Sequence, residues 1–288
     1  MGESNHPGSS FLIKNQEVCS SNLKRSGINT AVRDIVNSFK QYNLVGVLGW
    51  QDIAQRYRRS SLGAFWLTIS MGVMIASIGL VFGKLLNSPM EVFLPFLTIG
   101  LILWSFIVSS LTEGCTGFIN SEAIIKEIPL PLYVHILRVI WRNIIILAHN
   151  FVIFPLLCLF FGKGVGIEAL ISIPGFLVLA VNIAWLSLLC GVISTRYRDI
   201  PQVVNSILQV AFYVSPIMWM PELLEGKREA VLIDANPMHH LLEIVRAPLL
   251  GEIPTLTNWT VSFSILIVGW FITIVMYGRT KNKIAFWL

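Results

Sequence analysis

Six stretches of this chain run for about twenty residues with few or no charged side chains, and nothing else in the sequence limits its fold as strongly. A helix needs about 20 apolar residues to cross the hydrocarbon core of a bilayer. The stretches are Leu62 to Phe82, Val92 to Leu111, Ile140 to Phe161, Ile167 to Ile193, Val203 to Met220 and Trp259 to Tyr277. The third holds Arg142, Asn143, His149 and Asn150, and the fifth holds Asn205, Gln209, Ser215 and Pro216, so these two are the least apolar. The chain of 288 residues is 55% hydrophobic and only 13% charged. Soluble proteins carry about 25% charged residues to cover their surface. That deficit excludes an ordinary soluble enzyme, a disordered chain and a nucleic-acid-binding module. The expected class is an all-α integral membrane protein with six transmembrane helices.

Orientation follows from where Lys and Arg fall in the connections. With six spans, the amino end, the loops joining spans two to three and four to five, and the carboxyl end share one side. Of the 21 basic residues, all but Lys84, Lys163, Lys227, Arg228 and Arg246 lie there. Both termini are therefore expected in the cytoplasm. The acids divide evenly between the sides and decide nothing. Residues 1–27 are polar, lack the apolar core of a secretory signal, and read as a mobile cytoplasmic tail. Residues 28–61 form a second unit, and 62–288 the membrane domain.

The second unit carries two helical patterns. Val32, Ile35, Val36 and Phe39 repeat at one-face spacing, with Arg33, Asp34, Asn37 and Lys40 elsewhere, as in an amphipathic helix lying in the membrane surface. Trp50, Ile53, Ala54 and Tyr57 repeat the spacing, and Asp52 stands four residues before Arg56, a pairing distance on a helix. Arg56, Arg58 and Arg59 cluster just before the first span. They serve either as topology anchors or as a phosphate site, since guanidinium forks match phosphate oxygens.

Between spans two and three, Ser121 opens a short helix that must stop before Pro129 and Pro131. Its charges are Glu122, Lys126 and Glu127, and its apolar knobs Ile124, Ile125 and Ile128, a pattern suited to docking another protein. His135, Arg138, Arg142 and His149 share one helix face, with the arginines near enough to the surface to snorkel. Pro201 suits the first turn of the fifth span, and Pro216 is expected to kink it. In the outer loop, Asn236-Pro237 is a helix start, and Met238, Leu241, Leu242 and Val245 give one apolar face. This reads as a short helix re-entering the membrane as part of a gate.

Three features carry no chemistry on this reading. Gly79 to Lys84 resembles a phosphate loop but has three residues between its glycines and Leu85 where Ser or Thr is needed. His239-His240 has no metal-ligand spacing around it. Cys19, Cys115, Cys158 and Cys190 form no CxxC. No metal site is expected.

Taken in order, WQDIAQRYRRSSLGAFW, NSEAIIKEIPLPLYVHILR, RYRDIPQVVNSILQVAFYVSPIMW and NPMHHLLEIVR resemble the permease subunit of bacterial type 2 ATP-binding-cassette exporters. The resemblance is to the branch exporting lipid-linked polysaccharide: O-antigen, capsule or teichoic acid. It extends from about Asp34 to the end, and residues 1–27 exceed what the family usually has.

The resemblance implies an interfacial helix over residues 28–42 and a cytoplasmic gate helix over 44–59. At the latter, Arg56, Tyr57, Arg58 and Arg59 would meet the lipid diphosphate head group. It implies a coupling helix over 121–128, docking on a separate ATPase through Glu122, Ile125, Lys126 and Glu127. It also implies an outer gate over 236–250, with Asn236, Pro237 and Arg246. The transporter would join two permeases, as a homodimer, to two copies of the ATPase, which would hold ATP and magnesium. This chain would be no enzyme and hold no cofactor of its own. The sugar chain would pass along aromatic residues, for which Phe106, Phe212, Tyr213 and Trp219 are the candidates. The location would be the bacterial inner membrane. Alternatives are a type 2 exporter of drugs or haem and, in another class, a membrane-embedded transferase. The latter would need clustered His, Asp or Glu, which the loops do not offer.

Overall fold

The computed structural model describes residues 27–58, 63, 65–86, 88–221 and 230–288; among them there is no β-strand. The helices are α1 over residues 27–40, α2 (Tyr42–Tyr57), α3 (Phe65–Leu85), α4 (Met90–Thr116), α5 (Glu122–Glu127) and α6 (Tyr133–Phe151). They continue as α7 (Ile153–Phe160), α8 (Ser172–Arg196), α9 (Ile200–Val214), α10 (Ala230–Asp234), α11 (Pro237–Leu249) and α12 (Leu256–Trp287). Five helical segments among the described residues are long and apolar enough to cross a membrane: Phe65–Leu85, Met90–Thr116, Tyr133–Phe160, Ile167–Arg196 and Leu256–Trp287. The chain is a multi-pass membrane protein.

Two of the expected spans differ in ways that proline explains. Instead of kinking at Pro216, α9 stops at Val214, and Ser215 turns extended at φ −83, ψ 143. A proline ring crowds the backbone of the residue before it and disfavours the helical region there. The result is a helix of 15 residues, about 22 Å at 1.5 Å per residue, short of the ~30 Å core. The third span begins at Tyr133 rather than Ile140, and it breaks at Val152 into α6 and α7. Pro155 has no N–H to give the carbonyl of Phe151, so the ladder lapses there.

α4 is the central helix, packed by α3, α6, α8, α9 and α11. Small residues allow its closest approach. A Cβ on Gly114 would lie 2.7 Å from Ser187 of α8, and one on Gly191 would lie 2.9 Å from the Gly114 carbonyl. The Gly79–Gly83 pair, a false phosphate loop in sequence, is a packing groove in which α3 receives Leu94 and Met90 of α4. The α11 backbone presses on α8 at Gly175, where a Cβ would lie 2.2 Å from the Ile244 carbonyl. Gly162 and Gly251, at φ +67 and +89, turn the chain after α7 and α11.

α1 presents its faces differently from the expected pattern. Val32, Val36 and Phe39 are exposed, whereas Ala31, Asp34, Ile35 and Ser38 face protein. Asp34 is 5% exposed and fully partnered. It accepts from the backbone N–H of Leu132 (3.3 Å) and Tyr133 (3.1 Å) and from the Tyr277 hydroxyl (2.6 Å), and it pairs with Lys281 (2.7 Å). One carboxylate thereby caps the positive end of α6 and ties α1 to α12.

Candidate functional site

A groove of about 510 Å³ lies between α3, α4 and α9. From α9 it receives Gln202, Asn205 and Gln209, spaced three and four apart and so on one helix face, followed by Phe212 and Tyr213. α4 adds Trp104, Ser105 and Ser109, and α3 adds Met71 and Met74. Trp104 and Phe212 stand 5.9 Å apart at 38°, and Phe212 meets Tyr213 edge-on at 5.4 Å. No charged residue lines the groove. Amides offer both donors and acceptors, and ring faces offer flat apolar contact. This combination suits a polyhydroxylated chain, whose hydroxyls take the amides while its C–H faces lie on rings.

Of the four aromatics expected along a pathway, Phe212 and Tyr213 line this groove. Trp219 is tied to its end by donating from Nε1 to the Tyr213 carbonyl at 3.3 Å. Phe106 is not part of the groove: it is 3% exposed, packed 5.6 Å from Phe176 of α8. Two residues on, it lies on nearly the opposite side of α4 from Trp104. Sequence reading missed Trp104, Ser105, Ser109 and the amide stripe. The available signal was the three-and-four spacing of Gln202, Asn205 and Gln209, which shows only as a weakened span until a face is assigned.

A second cluster links α2 to α4 and α6. Asp52 is bound by Arg138 through two contacts, one from Nε at 2.8 Å, and by Arg142 at 2.8 Å. Arg142 also donates to Glu113 at 2.7 Å, and Asn143 donates to the same oxygen at 2.8 Å. Burial pushes the Asp52 carboxyl up, but the hydrogen bond from Arg138 and the charges of Arg138 and Arg142 outweigh it. They hold Asp52 below the ordinary carboxylate value. The two arginines read as snorkelling anchors therefore clamp α2 to the bundle. His149 does not join them: its Nδ1 meets the Ile145 carbonyl at 2.8 Å. The Arg56–Arg59 cluster falls largely outside the described residues. Arg59 lies there entirely, as do the side chains of Arg56 and Tyr57, whereas Arg58 is exposed.

α5 stops where expected, with Ile128 extended at ψ 125 before Pro129, although Ser121 makes no capping bond. Glu122 and Lys126 pair at 2.6 Å on its exposed side. The Lys126 hydrogen bond and charge hold Glu122 below its usual value, with Arg198 from the α8–α9 loop adding to the effect. Glu127 is exposed, Ile128 is 49% exposed, and Ile125 packs against the core.

At the other end, Asn236 caps α11 by accepting from Met238 N–H at 2.9 Å, and it donates to the Ser215 hydroxyl at 2.9 Å. Arg246 is completely buried. It donates to the Pro216 carbonyl at 2.6 Å, binds Glu243 at 2.5 Å and stacks 3.9 Å over Phe96. It therefore bolts α11 to α4 and to the turn that ends α9. His240 is held by Asn258 and by the Asp234 carbonyl, both at 2.8 Å.

The comparisons with known proteins agree with this architecture. The sequence model of the family described as ABC-2 type transporter matches residues 43–250. The O-antigen export system permease protein RfbA of Klebsiella pneumoniae is 25% identical over 253 residues, covering 85% of this chain and 94% of that protein. Its namesake from Myxococcus xanthus is 22% identical over 220 residues, covering 74% and 83%. With the family's pattern spanning well over half of the chain, on a bundle of apolar membrane-crossing helices, this protein belongs to the ABC-2 type transporter family as a membrane permease component.

Proposed function

We propose that this chain is the membrane subunit of an ATP-driven exporter of lipid-linked polysaccharide, acting as a homodimer with two copies of a separate ATPase. The observation that carries the reading is the uncharged groove of α3, α4 and α9, where a run of amides leads to ring faces. The exposed polar stripe of α9 supports it as well. Gln202, Asn205 and Gln209 on a short helix in an otherwise apolar chain need water, protein or a passenger against them. A second copy across a two-fold axis would close two such grooves into one lined path. The O-antigen names of the relatives support the choice of passenger.

In this reading the protein sits in the bacterial cytoplasmic membrane with both termini in the cytoplasm, following the bias of its basic residues. α9 is the sixth crossing, completed on the outer side by residues 215–220 and by a re-entrant α11. α1 lies in the interface with Val32, Val36 and Phe39 toward lipid. α2 is the gate helix, and Arg56, Tyr57, Arg58 and Arg59 at its end take the diphosphate head group. α5 docks the ATPase through Glu122, Ile125, Lys126 and Glu127.

The test replaces Gln202, Asn205 and Gln209 together with leucine. At about 0.5–1.5 kcal/mol for each lost hydrogen bond, the passenger loses roughly 2–4 kcal/mol of contact. Polysaccharide at the cell surface should fall at least tenfold, while the variant still co-purifies with its ATPase. Wild-type export by this variant would exclude the groove as the path.

A further inference from the structure

Away from the polar groove, a second depression of about 350 Å³ opens between α1, α2 and α6. Its chemistry is the opposite. Phe39, Tyr42, Leu137, Trp141 and Ile144 line it; of its two lining hydroxyls, that of Ser38 is committed to the Asp34 carbonyl at 2.8 Å, and the other belongs to the exposed Tyr42. It shares no lining residue with the α3–α4–α9 groove. We propose that this depression holds one acyl chain of an anionic phospholipid, as a fixed lipid wedged between α1–α2 and α6. The inference does not rest on the export reading.

Three observations converge on that occupant. The first is Gly46, within α2 and on the wall of the depression. Glycine inside a helix is destabilising relative to alanine, so a close approach is the common reason for it. Here, among the described residues, a Cβ would meet nothing within 4 Å beyond the backbone of its own helix. Among the described residues, the space it leaves serves no packing partner. Gly49, one turn on, differs: its Cβ would lie 2.8 Å from Trp141, an ordinary close approach.

The second observation is dimension. Leu137, Ile140, Trp141 and Ile144 form a stripe at helical spacing on a segment long and apolar enough to cross a membrane. Seven residues of rise span roughly 10 Å, which fits inside the ~15 Å that one leaflet contributes to the hydrocarbon core. Phe39, Tyr42 and Trp141 are 56%, 70% and 42% exposed, so the depression is open along its length and a chain can enter from the side. Tyr and Trp are the side chains that favour the level where acyl chain meets head group.

The third is charge. Asp34, the sole acid of α1, is buried and paired with Lys281. The exposed charges of α1 are Arg33 and Lys40, both basic, and Lys40 stands between the lining residues Phe39 and Tyr42. A head group reaching α1 from the depression therefore meets positive charge, which favours an anionic lipid.

The experiment uses the full chain reconstituted in phosphatidylcholine vesicles doped with phosphatidylglycerol that carries a diazirine midway along one acyl chain. After illumination, label should concentrate severalfold on peptides containing Tyr42–Gly46 and Trp141–Ile144, relative to the exposed Phe271–Ile272 face of α12. Gly46→Leu fills the space with a better helix former, so the variant should fold with an unchanged or higher thermal midpoint in detergent. It should lose the groove label and keep the α12 label. R33Q with K40Q should erase the preference for phosphatidylglycerol over an equally labelled phosphatidylcholine. Uniform labelling of the two faces, or groove labelling that survives Gly46→Leu, overturns the proposal. So does a preference that survives the charge removal. Displacement of the label by a polyprenyl phosphate at equal concentration assigns the groove to a carrier lipid and overturns it as well.

Discussion

Replacing Asp34 with alanine should release α1 from the bundle. The carboxylate is 5% exposed and serves two backbone N–H groups at the start of α6, one hydroxyl of α12 and one ammonium. Removing one partner of a buried pair costs about 3–5 kcal/mol, and loss of a helix cap alone about 1 kcal/mol. Lys281 is 21% exposed and can turn toward solvent, which points to the lower end, about 3 kcal/mol. That is about a hundredfold in the local opening equilibrium of α1. Hydrogen exchange followed by mass spectrometry on the detergent-solubilised protein reads this directly. Peptides covering residues 27–40 should exchange about a hundredfold faster, while those from α4 and α8 keep their protection. Tyr277→Phe removes only one hydrogen bond to a charged acceptor, about 1.5 kcal/mol, and should give roughly a tenfold effect at the same peptides. If Asp34→Ala changes exchange in α1 by less than about threefold, the carboxylate is not the tether and the reasoning fails.

Other expectations follow from the same geometry. Arg246→Met leaves Glu243 and the Pro216 carbonyl without their buried donor, so it should cost about 3–5 kcal/mol in a denaturant titration. Arg246→Lys should recover only part of this, because an ammonium cannot reproduce the fork or stack flat on Phe96. Gly175→Ala drives a methyl against the Ile244 carbonyl, backbone that cannot move aside, so this variant should lose most of its folded yield as measured by size-exclusion chromatography. Asp52 has a lowered folded value, so its contribution is fully present above the unfolded value of ~3.9 and fades as pH falls through the lower folded value. Thermal midpoints of wild type and Asp52→Asn should therefore differ by a constant amount from pH 7 to pH 5 and converge only below about pH 4. Convergence already near pH 6 would refute the Arg138 and Arg142 assignment.

How much could be read before the structure depends on whether a feature is local. Hydropathy marked α3, α4, α8 and α12 because a run of apolar residues has the same consequence whatever its neighbours are. Asn236-Pro237 marked the start of α11, and Pro129 the end of α5, since capping and proline sterics act within a few residues. The family resemblance drew on the same short motifs. Pro216 was legible as a breaker, but kinking and ending a helix are the same local event. Which one occurs depends on what receives the chain afterwards, and here Arg246 grips the Pro216 carbonyl from α11.

Partner choice was decided only by the tertiary structure. Nothing local joins Asp52 to Arg138 and Arg142, 86 and 90 residues further along, yet the fold brings all three together. Asp34 looks like one of several charges on a polar face until α6 and α12 close over it. Phe106 and Trp104 are equally aromatic and both buried in the same helix, and only the packing of α8 and α9 on opposite sides of α4 seats one against α8 and sets the other in a groove wall beside Phe212. Hydrophobicity acts on each residue alone, and so a sequence displays it. A hydrogen bond or a lined cavity needs two groups distant in the chain to arrive at the same place, and only the packed helices determine which two meet.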